Sequence, residues 1–357
     1  MCKRYHILRG GYSQLASIHE VAKRAGVSTA TVSRVISKKG YVSEKSKKYV
    51  EDAMSELEYI PSKAARNLAR RKKFNLGMFY SSRIARFLCP NEQKSRTSEF
   101  YSILFQGMME TAKNFGFTIG RIGLSTDSVI DDKKYTADGI VLIGGDISPR
   151  LIEQVKRLEK PIVLVDQYIP EMGVDCVVSN GFNGAVDAVN SLIAKGARKI
   201  IHIHGPLTHY GFKSRYEGYV EAMKSHGLFP LTYDCDDLYD EQGHAKGPED
   251  IIHAVQRAFR QSGKPEAIFT SNDPIAYRVM EALEQMGYPI PQEIRMVGFD
   301  DLSFSATTHP PLSSVKVFQY EMGSLAVDRM RQLLYLENIH PITMSLYTKY
   351  IERKSSE

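Results

Sequence analysis

The stretch SIHEVAKRAGVSTATVSRVIS, residues Ser17–Ser37, decides the fold of the first part of the chain. Ser17 and Glu20 form a capping-box pattern, in which each side chain satisfies a free backbone N–H at the start of a helix. Gly26 ends this helix, and Ser28 can cap a second one. The residues predicted to face inward are Ile18, Val21, Ala22 and Ala25 in the first helix and Val32, Val35 and Ile36 in the second.

A third helix is predicted after a short loop. Ser43 can cap it and Glu44 lies in its first turn, while Val50, Met54 and Leu57 recur at helical spacing on one face. Helix, tight glycine turn, helix, loop and helix is the order of a helix-turn-helix domain.

The second predicted helix has an unusual outward face. Because its aliphatic residues point inward, short polar or methyl side chains and one long cation remain for the surface: Ser28, Thr29, Ala30, Thr31, Ser33 and Arg34. Short side chains let a helix approach the major groove of DNA closely, and an Arg side chain reaches guanine or phosphate. The alternative is a Ser- and Thr-rich surface helix without a partner.

Positive charge is concentrated at one end of the chain. Residues 1–73 hold 17 Lys and Arg against 6 Asp and Glu, whereas the remainder holds 30 against 35, which together make the 47 and 41 of the whole sequence. A basic module joined to a mildly acidic body indicates polyanion binding by that module. A solvated basic tail is the alternative, and the predicted helices argue against it.

The segment YIPSKAARNLARRKK, residues 59–73, follows the third helix. Pro61 favours a new helix start, and a helix of about eight residues is too short to persist alone in water. We therefore expect this helix to form only against a partner. Leu68 in a basic, Ala-rich helix suits insertion into a DNA minor groove, with an ordinary linker as the alternative.

From residue 74 onward, short apolar runs alternate with amphipathic stretches that end in Gly. The runs are NLGMFY, FTIGRIGL, GIVLIGG and PIVLVD, and then VDCVVSN, KIIHIHG, EAIFTS and IRMVGFDD. Strand and helix alternating at this spacing predict parallel sheets. Two successive sets predict two similar α/β lobes with a cleft between them.

Ligands of open parallel sheets bind at the carboxyl ends of the strands. The polar residues that follow the predicted strands are Asp166, Asn180, Asn272, Asp273, Asp300 and Asp301, and Arg215 opens a helix. With Phe100, Tyr101 and Tyr210, they make a hydroxyl-rich ligand plausible. Each Asp or Asn could instead cap the next helix, and Asp273 before Pro274 is a strong example.

Several other classes of protein are disfavoured. The four cysteines lie far apart and form no disulfide or zinc pattern, no apolar run reaches membrane-spanning length, and no signal peptide precedes the first helix. No phosphate-binding glycine loop, nucleophile elbow or metal-spaced cluster indicates an enzyme or a cofactor. The nearest metal candidates are His202, His204 and His209, but packing and hydrogen bonding of neutral histidines inside a parallel sheet explain them adequately.

The residues IHEVAKRAGVSTATVSRVIS, GYVSEKSKKYVEDAMSELEYIPSKAARNLA, FTSNDPIA, VGFDD and HPPLSSVKV together resemble the lactose-repressor/galactose-repressor family of bacterial transcription regulators. The resemblance covers the chain from Ser17 to its end. It implies a dimeric repressor with an all-α helix-turn-helix head, a hinge helix and a two-lobed α/β core similar to periplasmic sugar-binding proteins. Because no leucine heptads follow the core, a dimer rather than a tetramer is expected.

The resemblance implies roles for individual residues. Thr29, Ala30 and Arg34 look like major-groove readers, with Ser28, Thr31 and Ser33 near phosphates or base edges. The hinge residues implied at the minor groove are Ser62, Lys63, Ala65, Arg66 and Leu68. The effector ligands implied or expected are Arg215, Asp273, Asp300, Asn272, Asn180, Phe100 and Asp166.

The sequence also departs from the family at several places. Ser37 stands where the family usually has Asn, which removes one expected DNA contact. The segment from Ser125 to Ala137 is short for the helix usual there, and Phe318-Gln319 differs from the usual effector loop.

We expect the following domains: a disordered extension over 1–16, the helix-turn-helix domain over 17–60, the hinge helix and linker over 61–73, and the two-lobed core over 74–357. The N-lobe is expected at about 74–179 and 316–342, and the C-lobe at about 180–315 and 343–357. The expected partners are near-palindromic double-stranded operator DNA, a second copy of the chain and a small effector, with no cofactor and no membrane.

The expected function is repression of a carbohydrate operon, released by a sugar, in a cytoplasmic protein associated with the bacterial nucleoid. A co-repressor-dependent purine or nucleoside regulator and a global carbon regulator stay open as alternatives. A soluble sugar-binding protein without DNA function is a more distant one.

Overall fold

The computed structural model describes residues 18–37, 40–57, 59, 73–81, 84, 98–124, 136–235, 248–336 and 339–357. The expectations for residues 1–17, for the region 125–135 and for the hinge residues Ser62, Lys63, Ala65, Arg66 and Leu68 lie outside these ranges. The chain forms two compact units, one mainly within residues 1–72 and one mainly within 73–334 and 340–357. Elements are numbered below in chain order.

The first unit, called the head, has the three predicted helices: α1 Ile18–Ala25, α2 Thr29–Ser37 and α3 Glu44–Glu56. Gly26 ends α1 with a left-handed φ of 64°. The Ser28 hydroxyl accepts a hydrogen bond from the Thr31 amide at 3.2 Å, and Ser43 caps α3 through the Ser46 amide at 3.2 Å. The predicted helix-turn-helix and its two Ser caps are confirmed.

The head has its own small apolar core. Val21, Val32 and Val50 are fully buried, one from each helix. Around them pack Ala22 and Ala53, and the partly buried Ile18, Val35, Ile36, Met54 and Leu57. The predicted inward faces are therefore the ones that pack.

The N-lobe of the second unit is built on a parallel sheet with the strand order β11-β5-β4-β3-β1-β2. Its strands are β1 Asn75–Ser81, β2 Thr118–Leu124, β3 Gly139–Ile143, β4 Ile162–Val165, β5 Asp175–Ser179 and β11 Thr343–Leu346. Helices α4 Ser98–Phe115, α5 Pro149–Lys156 and α10 Gln319–Tyr335 follow the strands. The apolar runs of β3 and β4 are buried throughout, as expected for strands covered on both faces.

The C-lobe is built on a second sheet with the order β12-β10-β9-β8-β6-β7, parallel except for the β10–β12 pair. Its strands are β6 Ile200–His204, β7 Leu231–Asp234, β8 Ala267–Thr270, β9 Arg295–Asp300, β10 Ser313–Lys316 and β12 Lys349–Ile351. Its helices are α6 Gly181–Ala194, α7 Tyr210–Ser225, α8 Pro248–Ser262 and α9 Asp273–Gln285. Two successive α/β lobes are therefore confirmed.

Glycines allow close helix packing in the N-lobe. A Cβ on Gly107 of α4 would overlap the carbonyl oxygen of Tyr320, and a Cβ on Gly323 of α10 would overlap that of Leu104. The two helices touch backbone to backbone at these points, so α10 belongs to the N-lobe.

The lobe boundaries differ from the expected ones at two places. Residues 343–346 form β11 in the N-lobe sheet, where Thr343 pairs with Cys176, and not part of the C-lobe. Lys316 ends β10 in the C-lobe sheet, so the N-lobe resumes after it. The third crossing between the lobes therefore lies at Tyr347 and Thr348, between β11 and β12, and not at residue 343 as expected.

The eight predicted strands are present, and the structure adds four short ones: β7, β10, β11 and β12. Three of these lie at sheet edges, where one side of the strand is open and the buried apolar pattern is weak. Among the described residues, no helix has the length and hydropathy needed to cross a membrane.

Candidate functional site

The outward face of α2 carries the residues predicted to read DNA. Ser28, Ala30 and Arg34 are exposed, whereas Thr29, Thr31 and Ser33 are half-buried at the edges of the helix. The Ser28 and Thr31 hydroxyls lie 3.0 Å apart, so these two side chains share a hydrogen bond. Apart from the long Arg34 side chain, this face therefore carries only short side chains.

Arg34 lies beside the loop that follows α2. A Cβ on Gly40 would lie 3.6 Å from the Arg34 Cδ, so the aliphatic stem of Arg34 runs along this glycine. Gly40 has a left-handed φ of 83°, which only glycine adopts readily. This close approach restricts where the Arg34 side chain can lie on the α2 face.

A cavity in the second unit is lined by residues of both lobes, and we call it the inter-lobe cavity. Its lining includes five of the residues predicted to bind an effector: Phe100, Asp166, Arg215, Asn272 and Asp300. The other lining residues are Tyr101, Gly145, His209, Gly211, Phe212, Pro274 and Leu302. Phe100, Tyr101, Gly145 and Asp166 belong to the N-lobe.

Arg215 and Asp300 form a buried ion pair in the C-lobe wall of this cavity. Arg215 Nη2 lies 2.9 Å from Asp300 Oδ1, and both side chains are at least 92% buried. Arg215 Nη1 donates to the Ser271 carbonyl oxygen at 2.5 Å, and the guanidinium lies 4.0 Å from the centre of the Phe299 ring. These contacts hold the guanidinium plane in one orientation.

The pair is close in distance but incomplete in hydrogen bonding. Among the described residues, Arg215 Nε and Asp300 Oδ1 have no partner with hydrogen-bond geometry, although both atoms are buried. The Nη2–Oδ1 contact is thus an ion pair in which these two groups keep unused hydrogen-bonding capacity. Burial raises the pKa of Asp300 above its ordinary value; the Arg215 charge opposes this rise, whereas Asp273 and Asp166 add to it.

On the N-lobe side, Asp166 follows β4 in a left-handed conformation with φ of 63°. Its Oδ2 accepts a hydrogen bond from the Tyr101 hydroxyl at 3.1 Å. Phe100 packs edge-on against Tyr101, with ring centres 5.1 Å apart. The N-lobe wall thus combines a carboxylate with an aromatic surface.

Asn272 lines the cavity and also caps α9, since its Oδ1 accepts a hydrogen bond from the Ile275 amide at 2.9 Å. The ligand and capping interpretations of this residue are compatible, because the cap uses only the side-chain oxygen.

Asp273 is placed differently from its prediction. It is fully buried and does not line the inter-lobe cavity. Its carboxylate accepts hydrogen bonds from Ser314 Oγ at 2.6 Å, Ser305 Oγ at 2.7 Å and the Leu302 amide at 2.9 Å. The predicted effector contact does not fit this placement, because donors of the protein occupy the carboxylate; burial raises its pKa to about 6.

Asn180 also lies away from the cavity. Its side chain caps α6 by accepting from the Asn183 amide at 3.1 Å, and its own backbone amide donates to the Leu346 carbonyl oxygen at 2.7 Å. Thr348 Oγ1 donates to the Asn180 carbonyl at 3.4 Å. Asn180 therefore joins the first and third lobe crossings and, unlike the five residues above, does not line the inter-lobe cavity.

Sequence reasoning missed part of the cavity wall, namely Gly145, His209, Gly211, Phe212, Pro274 and Leu302. His209, Gly211 and Phe212 come from the segment GPLTHYGFKS just before Arg215: His209 is the N-cap of α7, and Gly211 and Phe212 lie in its first turn. His209 stacks on Phe212 with ring centres 5.6 Å apart. Their position directly ahead of a predicted ligand was the available signal. Gly145 approaches His209 across the lobes, a contact that no local pattern encodes.

His202 and His204 take part in packing within β6. His202 Nδ1 lies 3.0 Å from the Phe269 carbonyl oxygen, and His204 Nδ1 lies 2.9 Å from that of Gly205. The His202 ring also stacks on Phe269, with ring centres 4.8 Å apart. Within the described part of the chain, no group of three or more His, Cys, Asp or Glu side chains has the arrangement of a metal site.

Comparison with known proteins gives matches to two family descriptions. Residues 17–62 match bacterial regulatory proteins of the lacI family, and residues 189–356 match the periplasmic binding protein-like domain. The ribose operon repressor of Escherichia coli strain K12 is 29% identical over 350 residues, covering 96% of this chain and 100% of that protein. The transcriptional repressor PurR of Aliivibrio salmonicida is 26% identical, covering 96% and 99%.

The fold has counterparts among solved structures. A lac repressor dimer bound to operator and the anti-inducer ONPF has a TM-score of 0.66 at 22% identity, covering 96% of this chain and 99% of that one. The head with its α2 face, the two-lobed core and the two matches agree along the chain. Residues 17–62 thus form a helix-turn-helix domain of the lacI family of bacterial regulatory proteins, and residues 189–356 belong to a periplasmic binding protein-like domain.

Proposed function

We propose that this protein is a transcriptional repressor whose affinity for operator DNA is controlled by a small hydroxyl-rich effector bound in the inter-lobe cavity. The observation that carries the proposal is the buried Arg215–Asp300 pair, whose two residues line this cavity and of which two buried atoms lack hydrogen-bond partners among the described residues. Buried polar atoms without partners are costly, so a ligand that supplies hydroxyl groups stabilises the closed lobes.

The charges in the cavity favour a neutral effector. Arg215 is already compensated by Asp300, and Asp166 lies in the same lining. A carboxylate or phosphate on the ligand would therefore meet acidic groups without a free cation to balance it. Sugar rings have apolar faces and hydroxyl edges, which suit Phe100 together with the two Asp side chains.

The head supplies the DNA-binding part of the proposal. The α2 face would enter the major groove, with Thr29, Ala30, Ser33 and Arg34 at base edges and Ser28 and Thr31 near phosphates. Two heads of a homodimer would read the half-sites of a near-palindromic operator. Its place of action would be the bacterial cytoplasm, and catalysis would have no part in it.

Control would come from a coupling free energy between the two sites. A hundredfold change in operator affinity on effector binding requires about 2.7 kcal/mol. We assign this coupling to the hinge segment 61–73 on the basis of its short, Ala-rich, basic sequence, whose helix would form on DNA.

A purine-type co-repressor is the second candidate. It is favoured by the aromatic side chains Phe100 and Phe212 in the lining, which could stack on a planar base. The relative from Aliivibrio salmonicida is named a PurR repressor.

The deciding experiment combines a ligand screen with selection of DNA. Thermal unfolding of the full chain is measured with neutral pentoses, hexoses, disaccharides, sugar phosphates, uronates and nucleobases, and operator sequences are selected from random duplexes with and without each stabilising compound. The proposal expects stabilisation by a neutral sugar and release of a palindromic sequence. Stabilisation by a nucleobase that tightens DNA binding would replace it with the second candidate, and turnover of a sugar would contradict both.

A further inference from the structure

Glu99 of the N-lobe accepts two hydrogen bonds from one residue of the C-lobe, Ser303. Its Oε1 accepts a hydrogen bond from the Ser303 amide at 2.8 Å, and its Oε2 accepts one from the Ser303 hydroxyl at 2.9 Å. Glu99 lies in the first turn of α4, and Ser303 begins the 3-10 turn that follows β9. Two bonds from one carboxylate to one residue fix orientation as well as proximity.

Both ends of this contact are continuous with the inter-lobe cavity. Phe100 and Tyr101 directly follow Glu99, and Asp300 and Leu302 lie just before Ser303, and all four line the cavity. Movement of Ser303 relative to Glu99 therefore changes the distance between the two cavity walls.

The Ser303 segment needs such restraint. Asp300 and Asp301 have φ values of 107° and 51°, in a region that residues other than glycine rarely adopt. Backbone of this kind persists only where surrounding contacts hold it in place. From within the C-lobe, Asp273 binds the Leu302 amide and Arg353 binds Asp301 at 2.7 Å. Glu99 reaches the same segment from the opposite lobe.

A local explanation for Glu99 exists, because an acidic residue in the first turn stabilises a helix through its dipole. That role needs no second residue and no particular direction of the carboxylate. Here both carboxylate oxygens are directed at a residue 204 positions further along the chain. The contact thus joins lobes in addition to any effect on α4.

We propose that Glu99 is a positioning residue of the effector site: its carboxylate clasps Ser303 in the closed arrangement of the lobes, holds the Asp300 segment in place and is lost when the lobes open. The importance of this clasp for regulation rests on the proposed function, whereas the clasp itself is independent of it. A contact present in one of two arrangements shifts their populations by its own free energy.

The test measures the distance between the lobes in the full chain without any effector. Cys2 and Cys89 are replaced by Ser, and spin labels are attached through Glu153→Cys on α5 and Lys224→Cys on α7, both exposed. Double electron–electron resonance then gives the ratio of short to long inter-lobe distances. Glu99→Ala is expected to lower this ratio about tenfold, and Ser303→Ala, which keeps the amide bond, by a smaller factor.

The matched control is Glu321→Gln, an exposed acidic residue in the first turn of α10. It removes the same helix-dipole effect without touching Ser303, so its distances should equal those of the parent. Thermal unfolding of each variant checks that the core is folded, and Ser303→Ala carries the test if Glu99→Ala does not fold. Unchanged distances in Glu99→Ala, or only long distances in the parent, would overturn the proposal.

The same variants separate this inference from the proposed function. If no sugar stabilises the parent chain while Glu99→Ala still opens the lobes, the sugar effector is wrong and the clasp stands. If a neutral pentose or hexose binds the parent, Glu99→Ala should weaken its affinity about tenfold, and Glu321→Gln should leave it unchanged. Equal affinity in Glu99→Ala and the parent would overturn the positioning role.

Discussion

Arg215 and Asp300 lie 2.9 Å apart inside the core, yet Arg215 Nε and Asp300 Oδ1 remain without hydrogen-bond partners among the described residues. Two contacts hold the guanidinium in place: it donates a hydrogen bond to the Ser271 carbonyl oxygen, and it stacks on the Phe299 ring. The pair is therefore held rigidly, yet two of its described atoms have unused hydrogen-bonding capacity. That combination suits recognition of a polar ligand, because the donors and acceptors are in place before the ligand arrives.

We expect effector affinity to fall as the pH is lowered. Burial raises the pKa of Asp300 above its ordinary value while Arg215 opposes the rise, so this carboxyl group takes up a proton at a higher pH than an exposed Asp does. Only the ionised form offers two acceptor oxygens and full attraction to Arg215. Calorimetric titration with the stabilising sugar should show weaker binding at pH 5 than at pH 8. Asp300→Asn should bind weakly at both values, and a pH-independent parent would contradict the prediction.

Asp273 should matter for stability. Asp273→Asn replaces one of two acceptor oxygens by a donor, next to the Leu302 amide and the hydroxyls of Ser305 and Ser314. Because this site is fully buried, we expect a loss on the order of 2 kcal/mol in the free energy of unfolding, measured with denaturant. The control Asp187→Asn changes an exposed residue of α6 and should have little effect. Unchanged stability in Asp273→Asn would return this residue to the list of ligand candidates.

Asp273 and Asp300 also show how far sequence reasoning reaches. Both lie at the carboxyl ends of strands of the C-lobe sheet, as the sequence predicts. Their surroundings differ because Ser305 and Ser314, which lie 32 and 41 residues further along the chain, fold onto Asp273, whereas Asp300 pairs with Arg215 in the cavity wall. Such long-range contacts have no local signature, so a cavity-lining Asp and a fully enclosed Asp look alike in the sequence.

The head could be predicted from the sequence because its caps and helical faces depend on local contacts. Caps such as Ser28 and Ser43, and the helical spacing of Val32 and Val50, depend on residues within a few positions of each other. The position of the third lobe crossing was not predicted correctly, because β11 is a half-exposed strand whose place in the N-lobe sheet depends on its pairing with β5.

His202 should make the core sensitive to acid. Burial, with a smaller effect from His204, lowers the pKa of His202 to about 3 in the folded state. An unfolded His binds a proton near pH 6.5, so stability is complete above that pH and falls as the pH drops towards 3. Between pH 7.5 and 5, this residue alone should remove about 2 kcal/mol from the free energy of unfolding.

The measurement is denaturant unfolding at both pH values for the parent, His202→Gln and His253→Gln. His202→Gln should lose less stability than the parent between pH 7.5 and 5, whatever its stability at pH 7.5. His253 is exposed on α8, and its substitution should leave the pH dependence intact. The same pH dependence in all three proteins would show that His202 does not stay neutral in the fold.

Arg34 should carry base specificity. It is the exposed long side chain of the α2 face, so Arg34→Ala should cost about 1–3 kcal/mol in operator binding and relax the preference at one base pair. Selection from random duplexes, followed by binding measurements at fixed salt, tests both effects. The control Lys213→Ala removes an exposed charge from α7, outside the head. It should leave the selected DNA sequence and the affinity for it unchanged. An unaltered base preference in Arg34→Ala would remove this residue from the reading face.

Gly145 should decide whether the lobes can close. A Cβ at this position would lie 3.3 Å from the His209 Cβ, which is tighter than most contacts between such atoms. The two further methyl groups of Val have no room between the lobes, so Gly145→Val should weaken effector binding at least tenfold while operator binding persists. Gly145→Ala should fall between Val and the parent, because only a small shift of His209 is needed.

Gly120→Val provides the control, since Gly120 lies on the edge strand β2 and its added Cβ would come no closer than 3.9 Å to the Leu76 carbonyl oxygen. Its effector affinity should match the parent. Sugar titrations and operator binding of all four proteins separate the outcomes. Loss of both effector and operator binding in Gly145→Val would indicate a folding defect, and full effector affinity would mean that binding does not require Gly145 to approach His209.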